Sequence, residues 1–369
     1  MKVLQVSKLF PPFFGGIETV VYDLSIELKN QGYDVEVLCV SDQNVNSNEE
    51  IDGIQVYRRG SLCHLASTYL SISFVYTWRL IRNNYDVIHV HLPNPLAMIA
   101  MILFPPQGKI ILHWHSDIVK QKYLKIPFLP IQNYLLDRCS KIITTSPNYA
   151  PYSLDLKEYL DKISVVPIGI NRMSLSSSDA VKLRLQKEYG EKKVVFALGR
   201  HIYYKGFEYL IKSAKFLSDD YVVVIGGSGV MTENLKKMIY ELDLTEKVFL
   251  IGKIDHNELG SYYDFCDVFC LPSVERSEAF GVVQLEAMSF GKPVVSTRIK
   301  GSGVDWVNKN GISGITVEVR DPQAIANAID NIFDSEFDSE NIIDYFESKF
   351  IREKMATSVI GIYKEVLEG

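Results

Sequence analysis

Two glutamates eight positions apart stand out in the segment PSVERSEAFGVVQLEAM. We expect Glu278 to lie in a loop and Glu286 on the following helix, because the helical pattern starts near Gly281. Both carboxylates can then accept hydrogen bonds from the hydroxyl groups of one ligand. The backbone N–H groups between Phe280 and Val283 belong to the start of that helix and can receive a phosphate. The alternative is that the two glutamates are solvated surface residues.

Two other loops also follow predicted strands. Arg200 and Lys205 lie five positions apart in GRHIYYKG, directly after the run Val194–Leu198. A planar guanidinium and a flexible ammonium together suit a diphosphate, although they could also be a solvated pair of charges. In FPPFFGGIE, Gly15 and Gly16 separate the first strand from a helix, so the backbone can approach an anionic ligand there. An ordinary strand-to-helix turn is the alternative for this loop.

Four of the seven histidines form two alternating pairs, His89 with His91 in IHVHLPNP and His113 with His115 in HWHSD. Because side chains alternate across a strand, each pair lies on one face, and its outer member falls at the carboxyl end. His115 is the favoured functional residue, and His91 is the second. A buried structural role is the alternative for each histidine. A metal site of His113, His115 and Asp117 is a further alternative, but we predict no metal site, since alternation and burial explain the pattern.

Short apolar runs alternate with amphipathic helical patterns along the chain, which predicts β-α units with buried parallel strands. The strands of the first series are Val3–Val6, Val35–Val40, Val87–Val90, Ile110–His113 and Lys141–Thr144. Those of the second series are Val194–Leu198, Tyr221–Ile225, Val248–Ile251, Val268–Leu271, Pro293–Ser296 and Ile315–Val317. Two such series indicate two doubly wound domains, whose ligand sites follow the carboxyl ends of the strands.

Helices are predicted between these strands and at the end of the chain. They are Glu18–Asn30, Phe207–Phe216, Thr232–Leu242, His256–Tyr263, Val283–Phe290 and Pro322–Phe333. The segment from about Phe346 to Gly369 is predicted to form one or two amphipathic helices. Pro167–Gly190 carries a proline, a glycine and a run of serines, so we expect the interdomain linker in it.

The composition is that of an ordinary globular protein, with 47% hydrophobic and 23% charged residues among 369. It excludes disordered, collagen-like and disulfide-scaffold proteins, and the formal charge of −6 is too small to indicate a nucleic-acid partner. The five cysteines show no CxxC spacing, so we expect reduced thiols. The first ten residues lack the pattern of a signal peptide, and the longest apolar run, Leu96–Phe104, falls short of the about 18 residues of a membrane span.

Taken together, these motifs resemble the retaining glycosyltransferases of family 4. The pattern Glu-x7-Glu in SEAFGVVQLEAM is weak alone, and it becomes specific with GRHIYYKG, FGGIE and PIGI. The stretches HVHLPNPLA, LHWHSDIVKQK and TTSPNY are further similar to bacterial O-antigen or polysaccharide mannosyl- and rhamnosyltransferases. The resemblance implies an α/β protein of the GT-B fold, with two tandem doubly wound, Rossmann-like domains facing one cleft. We expect an acceptor-binding domain at 1–170, a donor-binding domain at 171–349, and a C-terminal helix at 350–369 packing back on the first domain.

The resemblance also implies roles for residues. Glu278 would bind the hydroxyls of the transferred sugar and His115 would lie beside the reacting centre, which makes these two the catalytic candidates. Glu286 would bind the ribose. The implied donor-binding residues are Gly15, Gly16, Arg200, Lys205, Phe280, Gly281, Val282, Val283 and Glu286. His91 and Asp117 are predicted on the acceptor side. Ala279 stands where many members carry glycine, and we expect this single methyl group to be tolerated.

The implied reaction is transfer of a hexose from a nucleotide-diphosphate sugar to a glycan acceptor, with retention at the anomeric carbon. Mannose from GDP-mannose is favoured, the acceptor is expected to be polyprenyl-diphosphate-linked, and the context is O-antigen or other surface polysaccharide synthesis. No cofactor and no metal are expected. The alternatives are a nucleotide-sugar epimerase or other GT-B enzyme, a rhamnosyl- or N-acetylhexosaminyltransferase, and a nucleotide-binding protein without catalysis.

One stretch departs from the mild overall charge. Between Arg58 and Lys141 there are ten basic residues and three acidic ones. Within it, Lys120, Lys122 and Lys125 precede apolar residues in KQKYLKIPFLPIQNYLL, a combination that suits an anionic membrane surface. An amphipathic helix packed on the core is the alternative. With a lipid-linked acceptor, this pattern predicts a cytoplasmic protein that is peripheral on the inner face of the cytoplasmic membrane.

Overall fold

The computed structural model describes residues 1–13, 15–65, 68–117, 128–172, 175–335 and 337–369. The chain divides into two compact units. The first unit comprises Met1–Gly169 together with Arg352–Gly369, and the second comprises Ile170–Ile351. The three lysines at 120, 122 and 125 lie outside the described residues. Within the described ranges, no helix combines the length and apolar character that a membrane crossing requires.

The first unit is built on a sheet whose strands, in spatial order, are β10-β9-β8-β7-β1-β2-β4-β3. Neighbouring strands are parallel except for the β3–β4 pair, which is antiparallel. Their bounds are β1 Lys2–Val6, β2 Asp34–Val40, β3 Ser47–Ile51, β4 Ile54–Arg59, β7 Val87–Leu92, β8 Lys109–Trp114, β9 Lys141–Thr144 and β10 Ile163–Val165. A separate hairpin pairs β5, Cys63–Leu65, with β6, Thr68–Leu70. The central strand β7 is buried along its whole length, which is typical of a strand covered by helices on both faces.

The second unit is built on a parallel sheet in the order β13-β12-β11-β14-β15-β16. Its strands are β11 Lys193–Leu198, β12 Tyr221–Gly226, β13 Val248–Gly252, β14 Val268–Leu271, β15 Val294–Arg298 and β16 Gly314–Glu318. Val195, Val223 and Val268 from the sheet form a buried core with Leu210 and Ile329 from flanking helices. Because helices cover the sheet, the central strands β11, β12 and β14 are mostly apolar and buried.

Helices connect the strands in both units. They are α1 Gly16–Asn30, α2 Ile72–Ile81, α3 Pro95–Leu103, α4 Leu129–Arg138, α5 Asp179–Tyr189, α6 Phe207–Ser213, α7 Thr232–Glu241, α8 His256–Phe265, α9 Val282–Ser289, α10 Val304–Val307, α11 Pro322–Asp334, α12 Ser339–Lys349 and α13 Arg352–Glu368. Several begin at a side chain that caps the first turn: Ser71 accepts from an N–H of α2, and Asn94 from one of α3. Helix α13 belongs to the first unit, where it packs on α1.

In each sheet there is one point at which successive strands stop being added on one side and are added on the other. In the first sheet β1 lies between β2 and β7, and in the second β11 lies between β12 and β14. In doubly wound sheets, ligands bind beyond the carboxyl ends of the strands at such switch points. The predicted fold class, two Rossmann-like parallel sheets of α/β type, is confirmed. That the two domains face one cleft stays a prediction.

The boundary between the two units, at Gly169 and Ile170, falls inside 167–190, the segment in which we expect the interdomain linker. The later part of that segment forms helix α5, which packs on α8 inside the second unit. The sequence does not predict strands β3, β4 and β10 of the first sheet, because β3 is polar, β4 ends in two arginines and β10 is only three residues long.

Those two arginines also correct the interpretation of the basic stretch. Arg58 is buried, and its guanidinium donates to the carbonyl oxygens of Phe10 and Pro11 and pairs with Glu49. Arg59 is buried as well, and its guanidinium donates hydrogen bonds to Thr77 Oγ1 and to a backbone carbonyl oxygen of β3. Both therefore hold the fold together and cannot take part in a basic surface.

Candidate functional site

The second unit brings two predicted loops together at its switch point. The loop of Gly199–Gly206 follows β11, and the loop that starts at Pro272 follows β14, which is hydrogen-bonded to β11 in the sheet. The two loops are joined directly, since the backbone N–H of Val274 donates to the carbonyl oxygen of Tyr204 at 2.8 Å. The segments that sequence analysis singled out by composition are therefore neighbours in space.

Lys205 and Glu278 form an ion pair between these loops. Lys205 Nζ lies 2.6 Å from Glu278 Oε2, and the two side chains are only 10% and 12% exposed. Ser273 Oγ donates to the same carboxylate oxygen at 3.0 Å, and Ser302 Oγ donates to the Glu278 carbonyl oxygen at 2.5 Å. An ammonium group and a carboxylate are thus held in fixed positions at the switch point. The sequence marks the two charges but neither serine, because isolated serines carry no pattern.

The backbone around Gly281 forms the start of α9. Gly281 has φ +77° and precedes the first helical residue, and Gln284 Nε2 donates to the Phe280 carbonyl oxygen at 2.8 Å. The N–H groups of Val282 and Val283 lie in the first turn, where a helix has no internal acceptor for them, so they can bind an anion. The Phe280 side chain is buried and contacts Phe350, so this predicted donor-binding residue can offer only its backbone.

Glu286 lies one turn further along α9 and is partly exposed. Tyr263 OH donates to Glu286 Oε2 at 2.6 Å. Burial raises the pKa of the Glu286 carboxyl, while the Tyr263 hydrogen bond and electrostatic interactions with His256 and Lys205 lower it. Lys205 therefore acts electrostatically on both glutamates of the Glu-x7-Glu pattern. Tyr263 was missed by sequence analysis, since its position on α8 reaches Glu286 only through the packing of two helices.

The two predicted cations of the β11 loop have different environments. Arg200 is exposed, whereas Lys205 is buried in its ion pair with Glu278. Between them, the His201 ring is buried and its Nδ1 lies 3.0 Å from Thr232 Oγ1 at the start of α7. The loop is therefore anchored on both sides, and Arg200 is the side chain in it with the freedom to meet a ligand in solvent.

In the first unit, Gly15 and Gly16 lie where predicted, after β1 and at the start of α1. A side chain added at Gly16 would meet nothing within 4 Å, so the space beside this helix start is open. The preceding part of the loop is held by Arg58, whose guanidinium donates to the carbonyl oxygens of Phe10 and Pro11 at 3.1 and 2.5 Å. Arg58, which the sequence marks only as one charge of the basic stretch, therefore supports the start of the glycine loop from the core.

The four histidines named from alternation, which we call the histidine ladder, lie together on β7 and β8. His91 Nδ1 is 2.9 Å from His115 Nε2, and His89 Nε2 is 3.2 Å from His113 Nδ1. All four rings are buried. Burial lowers the pKa of His89 and of His115 to about 3, and it lowers those of His91 and His113 well below the usual value. The ladder is therefore uncharged at neutral pH.

In the described part of the chain, Asp117 is not among the residues whose possible ligand atoms cluster within the ladder. Its Oδ1 accepts hydrogen bonds from Trp114 Nε1 at 2.9 Å and from Ser153 Oγ at 2.8 Å.

Ring nitrogens of His89, His91 and His113 do lie within 4.8 Å of one another. The rings of His89 and His91 are parallel to within 3°, however, and in-plane lone pairs of parallel rings cannot converge on one ion. The arrangement favours a hydrogen-bonded ladder over a metal centre.

Comparison with known proteins gives consistent results. The family model "Glycosyltransferase Family 4" matches residues 14–172, and "Glycosyl transferases group 1" matches residues 182–349. O-antigen chain mannosyltransferase C of Escherichia coli is 30% identical over 374 aligned residues that cover all of both chains. D-rhamnosyltransferase WbpZ of Pseudomonas aeruginosa is 29% identical over 89% of this chain and 86% of its own length.

Solved structures show the same fold. Sucrose-phosphate synthase from Thermosynechococcus elongatus has a TM-score of 0.82 at 21% identity, with 100% of this chain and 99% of that chain covered. HepE of Anabaena in complex with UDP has a TM-score of 0.77 at 18% identity, with 99% and 100% covered. At these identities the likeness concerns the fold alone.

Proposed function

The chain belongs to the glycosyltransferases of family 4, and from this premise we propose that it transfers a hexose from a nucleotide-diphosphate sugar to a glycan acceptor. We favour mannose as the sugar and GDP-mannose as the donor. The Escherichia coli relative, a mannosyltransferase of O-antigen chains, supports this choice and supports a role in O-antigen or another surface polysaccharide. The Pseudomonas aeruginosa relative makes rhamnose the next candidate sugar.

The observation that carries the proposal is the Lys205–Glu278 pair at the switch point of the second unit. In the proposed complex, Lys205 and Arg200 neutralise the diphosphate together with the N–H groups of Val282 and Val283. Glu278 accepts hydrogen bonds from the hydroxyls of the sugar, and Ser273 holds its carboxylate in place. Glu286 accepts hydrogen bonds from the ribose, with Tyr263 fixing one of its oxygens.

In the proposed reaction the anomeric carbon loses the diphosphate and bonds to the acceptor oxygen on the same face. The proton of the acceptor hydroxyl passes to the departing phosphate. We propose that fixed cations and helix N–H groups stabilise the developing negative charge, so that no metal ion and no cofactor are needed. The uncharged His115 lies beside the reacting centre, where it accepts a hydrogen bond from a hydroxyl group.

We further propose a polyprenyl-diphosphate-linked acceptor and a peripheral position on the inner face of the cytoplasmic membrane. Support comes from α2 in the first unit. Its outer face carries Ile72, Tyr76 and Leu80, one turn apart, with exposures of 73%, 61% and 62%. Arg79 is exposed beside them and Arg82 follows directly, so apolar and basic groups share one surface. Such a surface suits an anionic bilayer better than it suits water.

Enzyme assays with purified protein test the proposed function. We expect transfer from GDP-mannose to a lipid-linked acceptor. We further expect Lys205→Ala and Glu278→Ala each to lower turnover at least about a hundredfold, because each removes a group that stabilises the transition state. Lys215→Ala is the matched control, since this exposed lysine lies after the same helix, α6. Wild-type rates should be equal with and without EDTA.

Other outcomes of the same assays would contradict the proposal. Near-normal turnover in both Lys205→Ala and Glu278→Ala would exclude the assigned site. Complete loss of activity in EDTA that a divalent metal restores would overturn the metal-free mechanism. Epimerised donor in the absence of any acceptor would replace transfer by a nucleotide-sugar epimerase activity.

A further inference from the structure

The histidine ladder continues into two buried residues that no sequence motif contains. Gln5 on β1 is opposite His89 in the sheet register, and Tyr363 on α13 covers the same side. Both are fully buried. Tyr363 OH lies 2.5 Å from His89 Nδ1 and accepts from Gln5 Nε2 at 3.3 Å. The ladder is thus part of a larger polar network inside the first unit.

The direction of the hydrogen bonds from Gln5 follows from its amide group. The amide nitrogen is directed at Tyr363 OH, so the amide oxygen faces the ladder, where it lies 2.8 Å from His91 Nε2. An amide oxygen only accepts hydrogen bonds, so His91 Nε2 must carry a proton.

That proton decides the state of the next ring. His91 is uncharged because burial lowers its pKa, so it carries one ring proton and its Nδ1 is an acceptor. His115 Nε2, at 2.9 Å from that atom, must then donate. The remaining nitrogen of His115, Nδ1, is left without a proton.

We propose that Gln5 is a positioning residue that sets the tautomer of His115 through His91, so that His115 Nδ1 can accept a hydrogen bond from a reacting hydroxyl. Tyr363 contributes by holding the amide of Gln5 in the required orientation. The part of this inference that concerns the reaction rests on the proposed function. The tautomer itself does not, because it follows from hydrogen bonds inside the first unit.

The tautomers can be measured by NMR on the full chain labelled with 15N-histidine, with His91→Gln and His115→Gln spectra for assignment. For the wild type at neutral pH we expect His91 and His115 both protonated at Nε2 and not at Nδ1. In Gln5→Met, His91 Nε2 has lost its acceptor, whichever His91 nitrogen carries the proton. Neither tautomer of His91 is then favoured by a hydrogen bond to residue 5, so we expect mixed tautomers for His91 and His115. Tyr363→Phe frees the amide to turn and should act in the same direction.

Gln132→Met is the matched control, because Gln132 is a buried glutamine on α4 of the same unit and lies outside the network. It should leave the histidine spectrum unchanged. In the enzyme assay we expect Gln5→Met to lower kcat about tenfold with little change in KM for the donor. This is less than the 10²–10⁴-fold that loss of a general acid–base group typically costs.

The results separate the two proposals. A proton on Nδ1 of His115 in the wild type, or a wild-type His115 spectrum in Gln5→Met, would overturn the role of Gln5. Mixed tautomers with an unchanged kcat would overturn its importance for the reaction. The predicted tautomers in a protein that transfers no sugar from any donor would contradict the proposed function while leaving the tautomer assignment in place.

Discussion

Asp23 lies on α1 of the first unit with 5% of its surface exposed, facing Arg352 at the start of α13. The nearest atoms, Asp23 Oδ1 and Arg352 Nη1, are 3.8 Å apart. Burial raises the pKa of the Asp23 carboxyl to about 7, although Arg352 opposes part of the shift. The environment of this residue, which no motif marks, makes it titrate near neutral pH.

The shift has a definite consequence for stability. A carboxyl whose pKa is higher in the folded than in the unfolded state stabilises the fold when it is protonated. The stabilisation is complete below the unfolded value of about 4 and is lost as the pH rises to about 7. We therefore expect Asp23→Asn to raise the thermal midpoint relative to the wild type at pH 8, and to raise it by clearly less at pH 5.

Thermal unfolding at a series of pH values measures this difference. Asp42→Asn is the control, because Asp42 is exposed, and its difference from the wild type should not change with pH. The burial argument would be wrong if the Asp23→Asn difference were the same at pH 5 and pH 8.

At the scale of elements, Gly206 joins the short turn Tyr203–Lys205 to α6 and has φ +66°. A methyl group there would overlap the carbonyl oxygen of Pro272 in the neighbouring loop. The close approach of the two loops, and with it the Lys205–Glu278 pair, therefore depends on the absence of a side chain at this position.

We expect Gly206→Ala to destabilise the protein by about 3 kcal/mol, from left-handed strain together with the overlap. Gly252→Ala is the matched control: Gly252 has φ +74°, but a methyl group there meets nothing within 4 Å. It should cost only about 1 kcal/mol of strain. Urea unfolding followed by circular dichroism measures both, and equal losses would show that the overlap with Pro272 is relieved without cost.

At the scale of the whole molecule, the mild overall charge conceals differences in where charges are buried. Arg58 and Arg59 belong to the core of the first unit, whereas Arg79 is exposed beside the apolar face of α2. The opposite face of α2 is anchored, since Phe74 and Trp78 are buried. The surface that we propose for membrane contact is therefore defined by one helix rather than by the basic stretch as a whole.

Binding to vesicles tests this surface. We expect the wild type to bind vesicles that contain phosphatidylglycerol and to be released by salt, and the double variant Ile72→Ser/Leu80→Ser to bind about tenfold more weakly. Leu183→Ser is the control, because Leu183 is 58% exposed on α5 of the second unit. Equal binding of the wild type and the double variant would exclude α2 as the contact surface.

The strands of the second unit can be predicted from the sequence better than those of the first. All six strands of the second sheet match their predicted positions, because each is a short apolar run between turns. In the first sheet β3, β4 and β10 were missed: β3 and β10 are edge strands, and β4 ends in two arginines whose charges are satisfied by backbone carbonyls. Local patterns predict buried strands well and edge strands poorly, since an edge strand need not be apolar.

The sequence by itself determined the two series of β-α units, the loops that follow their strands, and the residue types that those loops carry. Which of these residues meet was decided by the tertiary structure alone. Lys205 pairs with Glu278 because β11 is adjacent to β14, and Gln5 reaches Tyr363 across 358 positions because α13 returns to the first unit. The physical reason is that periodicity and turn residues act within one element. Strand order and helix packing depend on how all the apolar faces of a unit are buried together.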